Sequence, residues 1–410
     1  MTRLDDLGHR DTAIEGRVVV RLTAKDGEVT AVDIESTRPL GASAVLEGKS
    51  AMDAIRALPL LYSICGTAHA AAGLAASEAA LGITPSDEVR AARRVIVAGE
   101  ALGQLLWRLF LDLPQVIEAE TAFQALRDTR ARLKRLPKLV YPRSDWLTLG
   151  GAGVAPRTPK ISELAGVLED IMGFGVFGEG LRAAGVLGDA DRFAEWIARA
   201  ETPVAKVFRY IADHHLSGFG QAFSPALRDA DGDALAARLL SDDDRSFVAR
   251  PDLDGTVYET GTFARFRGHP LISALLVDHG PGLLPRLASK LVAIEAMIDE
   301  IRLCGTPSPD ETGLPEAAAV TVLAGGEGKG VVAVETARGR LLHAVRLENE
   351  RTAFYRILAP TEWNFHREGP LAEALMGAKI GDREAFKTAV SLAIAAIDPC
   401  VQHDLVITGE

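Results

Sequence analysis

What this chain has little of narrows its function before any motif is read. Cysteine is scarce: Cys65, Cys304 and Cys400 are the three in 410 residues. An odd, sparse count excludes a disulfide framework and fits a reducing compartment, so a cytoplasmic location is expected. No apolar run of about eighteen residues escapes interruption by a charge, so no membrane span is expected. The opening MTRLDDLGHRDTAIEG has no basic segment leading into an apolar run, and is not expected to be a secretory signal. Positive charge is in deficit, 45 Lys and Arg against 56 Asp and Glu, for a net charge of −11. That balance argues against nucleic acid and against an anionic membrane as partners. Two tempting loops fail on spacing. GGEGKG lacks the interval and the hydroxyl residue of a phosphate loop, and reads as a hairpin turn. In RDADGDALAARLLSDDDRS the glycine is the fourth residue of the loop, not the sixth, and Leu240 falls where a closing carboxylate belongs. It reads as a solvated acidic loop.

What is present is ordinary for a folded globular protein: 48% hydrophobic and 25% charged residues. Ile14 to Ser36 is two β-rich runs around Lys25-Asp26-Gly27, a hairpin pattern. An Ala-rich segment, TAHAAAGLAASEAALGI, reads as a helix closed by Gly82. A longer helix is expected from the Ser86 cap to Pro114, which should end it. AAVTVLAGGEGKG through YRILAP has the character of a small antiparallel sheet, near residues 317–359. The fold class expected is mainly α (α+β), a long-helix arrangement with an N-terminal hairpin. It is expected to form one large domain over 1–410, with a Gly/Pro-rich loop or insertion boundary near 143–161.

The residues that could carry chemistry sit at opposite ends of the chain. Cys65, in SICGTAH, precedes a helix whose positive end would favour the thiolate, and His69 is four residues on, a possible metal ligand. Cys400, in DPCVQH, has His403 three residues further. Neither pair is specific alone; together they make a site only if the fold joins them. Cys304 follows an apolar helical pattern and reads as a buried small hydrophobe.

The order of segments resembles nickel–iron hydrogenase large subunits. IEGRVVVRLTAKDGEVTAVDIES and SICGTA are similar to that family's N-terminal hairpin and first cysteine motif. YETGTFAR, VETARGRLLHAV, LAPTEWNFHREGP and DPCVQH follow in the family's order. The resemblance implies a large-subunit-like fold. The departures are as telling. Cys65 and Cys400 match the first cysteine of each pair, but the nickel–iron bridging positions are Ala68 and His403. Alanine has no donor atom, and a histidine replaces a bridging thiolate poorly. The positions of the family's magnesium ligands correspond to Ser43 and Val406, so neither nickel nor magnesium is expected.

What the resemblance retains is the setting for an iron–diatomic fragment. Arg338 matches a guanidinium that donates to a cyanide, Thr361 a hydroxyl that bonds the second cyanide, and Glu15 a proton-relay glutamate. This pattern resembles the HupK/HoxV maturation proteins. It implies a non-catalytic scaffold that transiently carries Fe(CN)2(CO) through Cys65, Cys400 and His403. The implied partners are the accessory complex that builds the iron fragment and the immature hydrogenase large subunit. Two alternatives stand beside it: a catalytic hydrogenase-like oxidoreductase with an altered metal centre, and a metal-free large-subunit mimic that binds chaperones. His343 and His366 read as hydrogen-bonded structural histidines.

Overall fold

A computed structural model describes residues 16–143, 145–151, 153–304 and 318–409. The hairpin forms as expected: β1 (Arg17–Lys25) pairs antiparallel with β2 (Glu28–Ser36). Asp26 and Gly27 both take positive φ, 53° and 72°, as a two-residue turn matched to strand twist requires. Sequence periodicity gave no sign of its third member. The C-terminal strand β7 (Gln402–Gly409) lies parallel to β1, with His403 opposite Val18. Val18, Val20 and Leu22 face inward from β1 onto Phe386, Val390 and Ile394 of the helix Arg383–Ile397. The chain's two ends therefore meet in one sheet.

The second sheet runs β3 (Val320–Gly326), β4 (Lys329–Thr336), β5 (Gly339–Glu348), β6 (Arg351–Leu358), all antiparallel, where a small sheet was expected. GGEGKG is the β3–β4 turn. β4 and β5 are buried almost throughout, because helices cover both faces. On one face lies α2 (Gly66–Leu81), whose alanines let it approach closely. At Gly330 the backbones touch: a Cβ there would sit 1.9 Å from the Ala76 carbonyl oxygen.

Against α2 pack α1 (Ala51–Leu61) and α3 (Asp87–Trp107), and the helix Leu283–Arg302 packs on α3. Ser86 caps α3 through Val89 N–H. Pro114 does not end this helix. Residues Arg108–Asp112 widen into π-helical turns and Leu113–Val116 continue as α. Proline cannot bond the carbonyl four residues back; here that carbonyl, on Phe110, accepts the Ala122 N–H at 2.9 Å instead. The loop between the helices Leu136–Val140 and Thr158–Met172 is held to the core: Gly150 N–H donates to Glu78, and Arg93 to the Thr148 carbonyl. The acidic loop is also less solvated than its composition suggested. Asp242 is buried, accepting Phe247 and Val248 N–H at a helix start. Cys304 is buried as expected.

The α2–β4 contact gives a direct test. Gly330→Ala forces the two backbones apart and should cost about 1–3 kcal/mol, read as a lower urea midpoint at unchanged slope.

Candidate metal-fragment site

Cys65 is the N-cap residue of α2, placed there by the turn that follows α1. The first free N–H groups of α2, on Thr67 and Ala68, donate to Glu100 at 2.8 and 2.9 Å. Glu100, Gln104 and Arg108 stand four residues apart on α3 and its continuation, which puts them on one helix face. Gln104 ties two parts together. Its Nε2 donates to the Ile64 carbonyl at 2.6 Å, and its Oε1 accepts from Arg338 Nη1 at 2.7 Å.

Arg338 occupies the β4–β5 turn, closed by a Thr336 hydroxyl bond to the Gly339 carbonyl. Asn364 fastens this turn to its neighbours. It accepts from Thr260 N–H at 3.0 Å and donates to the Thr260 carbonyl at 2.9 Å and the Arg338 carbonyl at 3.4 Å. Three segments distant in sequence thus meet behind one guanidinium. Arg338 Nε is buried, 3.3 Å from Asp398 Oδ1 in an ion-pair contact, and has no hydrogen-bond acceptor among the described residues.

The helix Arg383–Ile397 ends on Asp398, whose φ of 69° swings the chain toward Pro399 and Cys400. The buried Asp398 carboxylate meets Arg108 at 2.6 Å and Lys290 at 3.1 Å, besides Arg338. Burial alone would raise its pKa, but Arg108, Lys290 and Arg338 outweigh that and hold it below its usual value. Lys290, buried, is pushed down despite Asp398. Cys400 Sγ lies 3.0 Å from the Thr361 hydroxyl.

Arg38, which leaves the hairpin sheet, adds a cation that no sequence pattern marked. Its Nη1 meets Glu362 at 2.8 Å. Burial disfavours its charge, yet Cys400, Glu362 and Cys65 together keep it firmly cationic. The fold therefore joins Cys65, Cys400, Arg338 and Thr361 in one region. The thiolate-favouring helix end expected at Cys65 is overridden. Burial first, then coupling to the nearby Cys400 and Glu100, push the Cys65 pKa well up, against the pull of Arg338 and Arg38.

The remaining candidates take other roles. His403 is half-buried on β7 and lines a cleft with Cys400 and Arg338; burial and Arg108 lower its pKa, so it is neutral. Among the described residues no group of three or more His, Cys, Asp or Glu side chains is disposed to hold a metal, so His403 does not complete a ready-made set with the thiols. His69 is buried, stacks on Tyr62 at 4.0 Å and shares a 3.0 Å Nδ1 contact with His343 Nε2. His343 in turn meets the Tyr355 hydroxyl at 2.8 Å, and His366 accepts Glu368 N–H, the structural roles expected of both. Ser43 is buried and donates to the Tyr355 carbonyl. Glu15 lies outside the described residues.

Several of these residues were legible in retrospect. The four-residue spacing of Glu100, Gln104 and Arg108, and a lysine amid the apolar LASKLVAIEA, are polar marks on otherwise apolar helices. Arg38 had no such mark.

Comparison with known proteins decides the family. A family model described as nickel-dependent hydrogenase matches residues 296–403. The chain is 31% identical over 397 residues to the hydrogenase expression/formation protein HupK of Azotobacter vinelandii, spanning 96% of this chain and 98% of that one. It is 30% identical to the hydrogenase expression/formation protein HoxV of Cupriavidus necator, spanning 93% and 94%. The chain belongs to the HupK/HoxV family. Its fold is that of the hydrogenase large subunits: the reduced Ni-Fe-Se hydrogenase of D. vulgaris Hildenborough superposes with a TM-score of 0.60 over 92% of this chain and 94% of that one, at 17% identity. No helix among the described residues of this HupK/HoxV-family protein is long and apolar enough to cross a membrane.

Two measurements test the site. Asp398 has a folded pKa below its ordinary 3.8, so its stabilisation is complete above that range and lost as pH falls through the folded value. Asp398→Asn leaves buried cations without their counter-charge and should cost about 3–5 kcal/mol at neutral pH. Urea midpoints should show that gap narrowing below about pH 4. Separately, the raised Cys65 pKa predicts that iodoacetamide alkylates Cys65 of the metal-free protein more slowly than a free cysteine at mildly alkaline pH. Site-resolved mass spectrometry reads this directly; equal rates would contradict the assignment.

Proposed function

We propose that this protein is a non-catalytic hydrogenase maturation scaffold that transiently carries Fe(CN)2(CO) and passes it to the immature large subunit. The fragment is cargo, received from the accessory complex that builds it. The observation that carries this reading is the pairing of two thiols with a cationic, donor-rich wall: Cys65 and Cys400 beside Arg338, Arg38 and Thr361. Two thiolates and two cyanides bring four negative charges to a dicationic iron. The buried guanidiniums suit that excess, and the spare N–H of Arg338 and the Thr361 hydroxyl are donors of the kind cyanide nitrogen accepts.

What the wall omits supports carriage over catalysis. Ala68, which the motif resemblance sets at a bridging position, is buried, and its N–H is already given to Glu100. His403, neutral and facing the cleft, can serve as a further ligand only with movement. Incomplete ligation suits a carrier, which must release what a catalytic site keeps. Loading also costs the Cys65 proton, held by that thiol's raised pKa, which makes binding depend on pH.

Infrared spectroscopy tests the proposal. Protein purified anaerobically from cells that make the fragment should show cyanide and carbonyl stretching bands with about one iron per chain, and Cys400→Ala should abolish the bands. Bands of undiminished intensity in that variant would sink the ligand assignment. Stoichiometric nickel with hydrogen-dependent dye reduction would instead favour an enzyme.

A further inference from the structure

The cleft that reaches Cys400 is large and carries an unexplained charge on one rim. Its volume is ≈ 1450 Å³, above the roughly 300–1,000 Å³ common for small-molecule pockets. Arg338, Cys400 and His403 line it, as do Trp107, Arg130 and Lys134. The helices Phe123–Leu133 and Leu136–Val140 form that rim. Between Arg127 and Lys138 they hold six basic residues and one acid, Asp128, in a chain whose net charge is −11. Arg127, Arg130, Lys134 and Lys138 recur at three- and four-residue steps and are all exposed.

These cations have no internal use. Among the described residues no carboxylate lies within ion-pair distance of any of the six. Arg132 bonds a backbone carbonyl, and Arg130 stacks over the ring of Trp107, itself 38% exposed. The cleft's acids are committed elsewhere: Asp404 pairs with Arg17 at 2.8 Å, Asp112 with Arg108 at 2.8 Å, and Glu100 caps α2. The rim is thus a net positive ledge with an aromatic shelf, on a protein that otherwise repels acidic partners.

We infer that this basic rim and cleft are a docking surface for an acidic, extended polypeptide segment of another protein, laid along Arg127–Lys138 so that its end approaches Cys400. Three features favour a polypeptide: the cleft's volume, its mixture of apolar wall and cationic edge, and a net charge that opposes polyanions too large to stay on the rim. The surface stands on charge and shape and needs no iron. Only its link to cargo hand-over rests on the function proposed above.

The test uses the full, metal-free chain and a fluorescent peptide of about twelve residues alternating Glu and Ser, followed by anisotropy. The wild type should bind it more tightly than the Gln/Ser counterpart, and less tightly as salt rises from about 50 to about 200 mM. Arg127→Glu with Lys134→Glu and Lys138→Glu, all solvent-facing, should weaken binding about tenfold or more. Arg192→Glu with Arg199→Glu, on a distant helix, should leave it unchanged; circular dichroism checks that both variants fold. Equal affinity for the neutral peptide, or equal loss in the control variant, would overturn the inference. So would tighter binding of a single-stranded DNA of matched charge. Because no iron enters this assay, its failure is separable from loss of the infrared bands.

Discussion

The buried carboxylate of Asp398 joins more of this molecule than any other single group. It receives Arg108 from the α3 continuation, Lys290 from the long central helix and Arg338 from the β4–β5 turn, while its left-handed backbone turns the chain into Pro399-Cys400. Four elements distant in sequence are thereby fixed relative to one sulfur. Three cations meet this one buried carboxylate, Arg108 also pairing with Asp112 at 2.8 Å, and burial makes any charge left uncompensated costly.

The site is accordingly built from ties more than from ligands. Glu100 holds the start of α2, Gln104 couples the Cys65 turn to Arg338, and Asn364 binds the Arg338 turn to the Tyr258–Arg265 segment. The residues that grip are few and the residues that position them are many. In a family that shares its fold with the hydrogenase large subunits, these ties hold the two cysteines and Arg338 in one place. Backbone placement depends on these ties and on packing, and neither requires a bound metal. A positive rim beside the cleft then marks a route by which another protein could reach the thiols without opening the core.

Much was legible in residues. The hairpin followed from alternating β-branched residues around Asp26-Gly27, the sheet from the GGEGKG turn, and α2 from its alanines. All are local patterns, set by strand pleat, turn stereochemistry and helix propensity. Cys65 and Cys400 were identifiable as halves of one site because their flanking residues resemble a family's paired motifs. Local reasoning misjudged Pro114, whose effect depended on Phe110 finding another donor, and the Cys65 pKa, where burial outweighed the helix end.

What the sequence by itself determined is which elements form and which donor atoms are available: two thiols at opposite ends of the chain, with an alanine and a histidine three residues beyond them. The tertiary structure decided what surrounds those atoms. β7 meets β1 across nearly the whole chain, Arg38 reaches both sulfurs from the far side of a hairpin, and Lys290 meets Asp398 in the core. Pairings of such sequence separation leave no periodic trace, because they are selected by packing and charge compensation between surfaces that exist only once the local elements have formed.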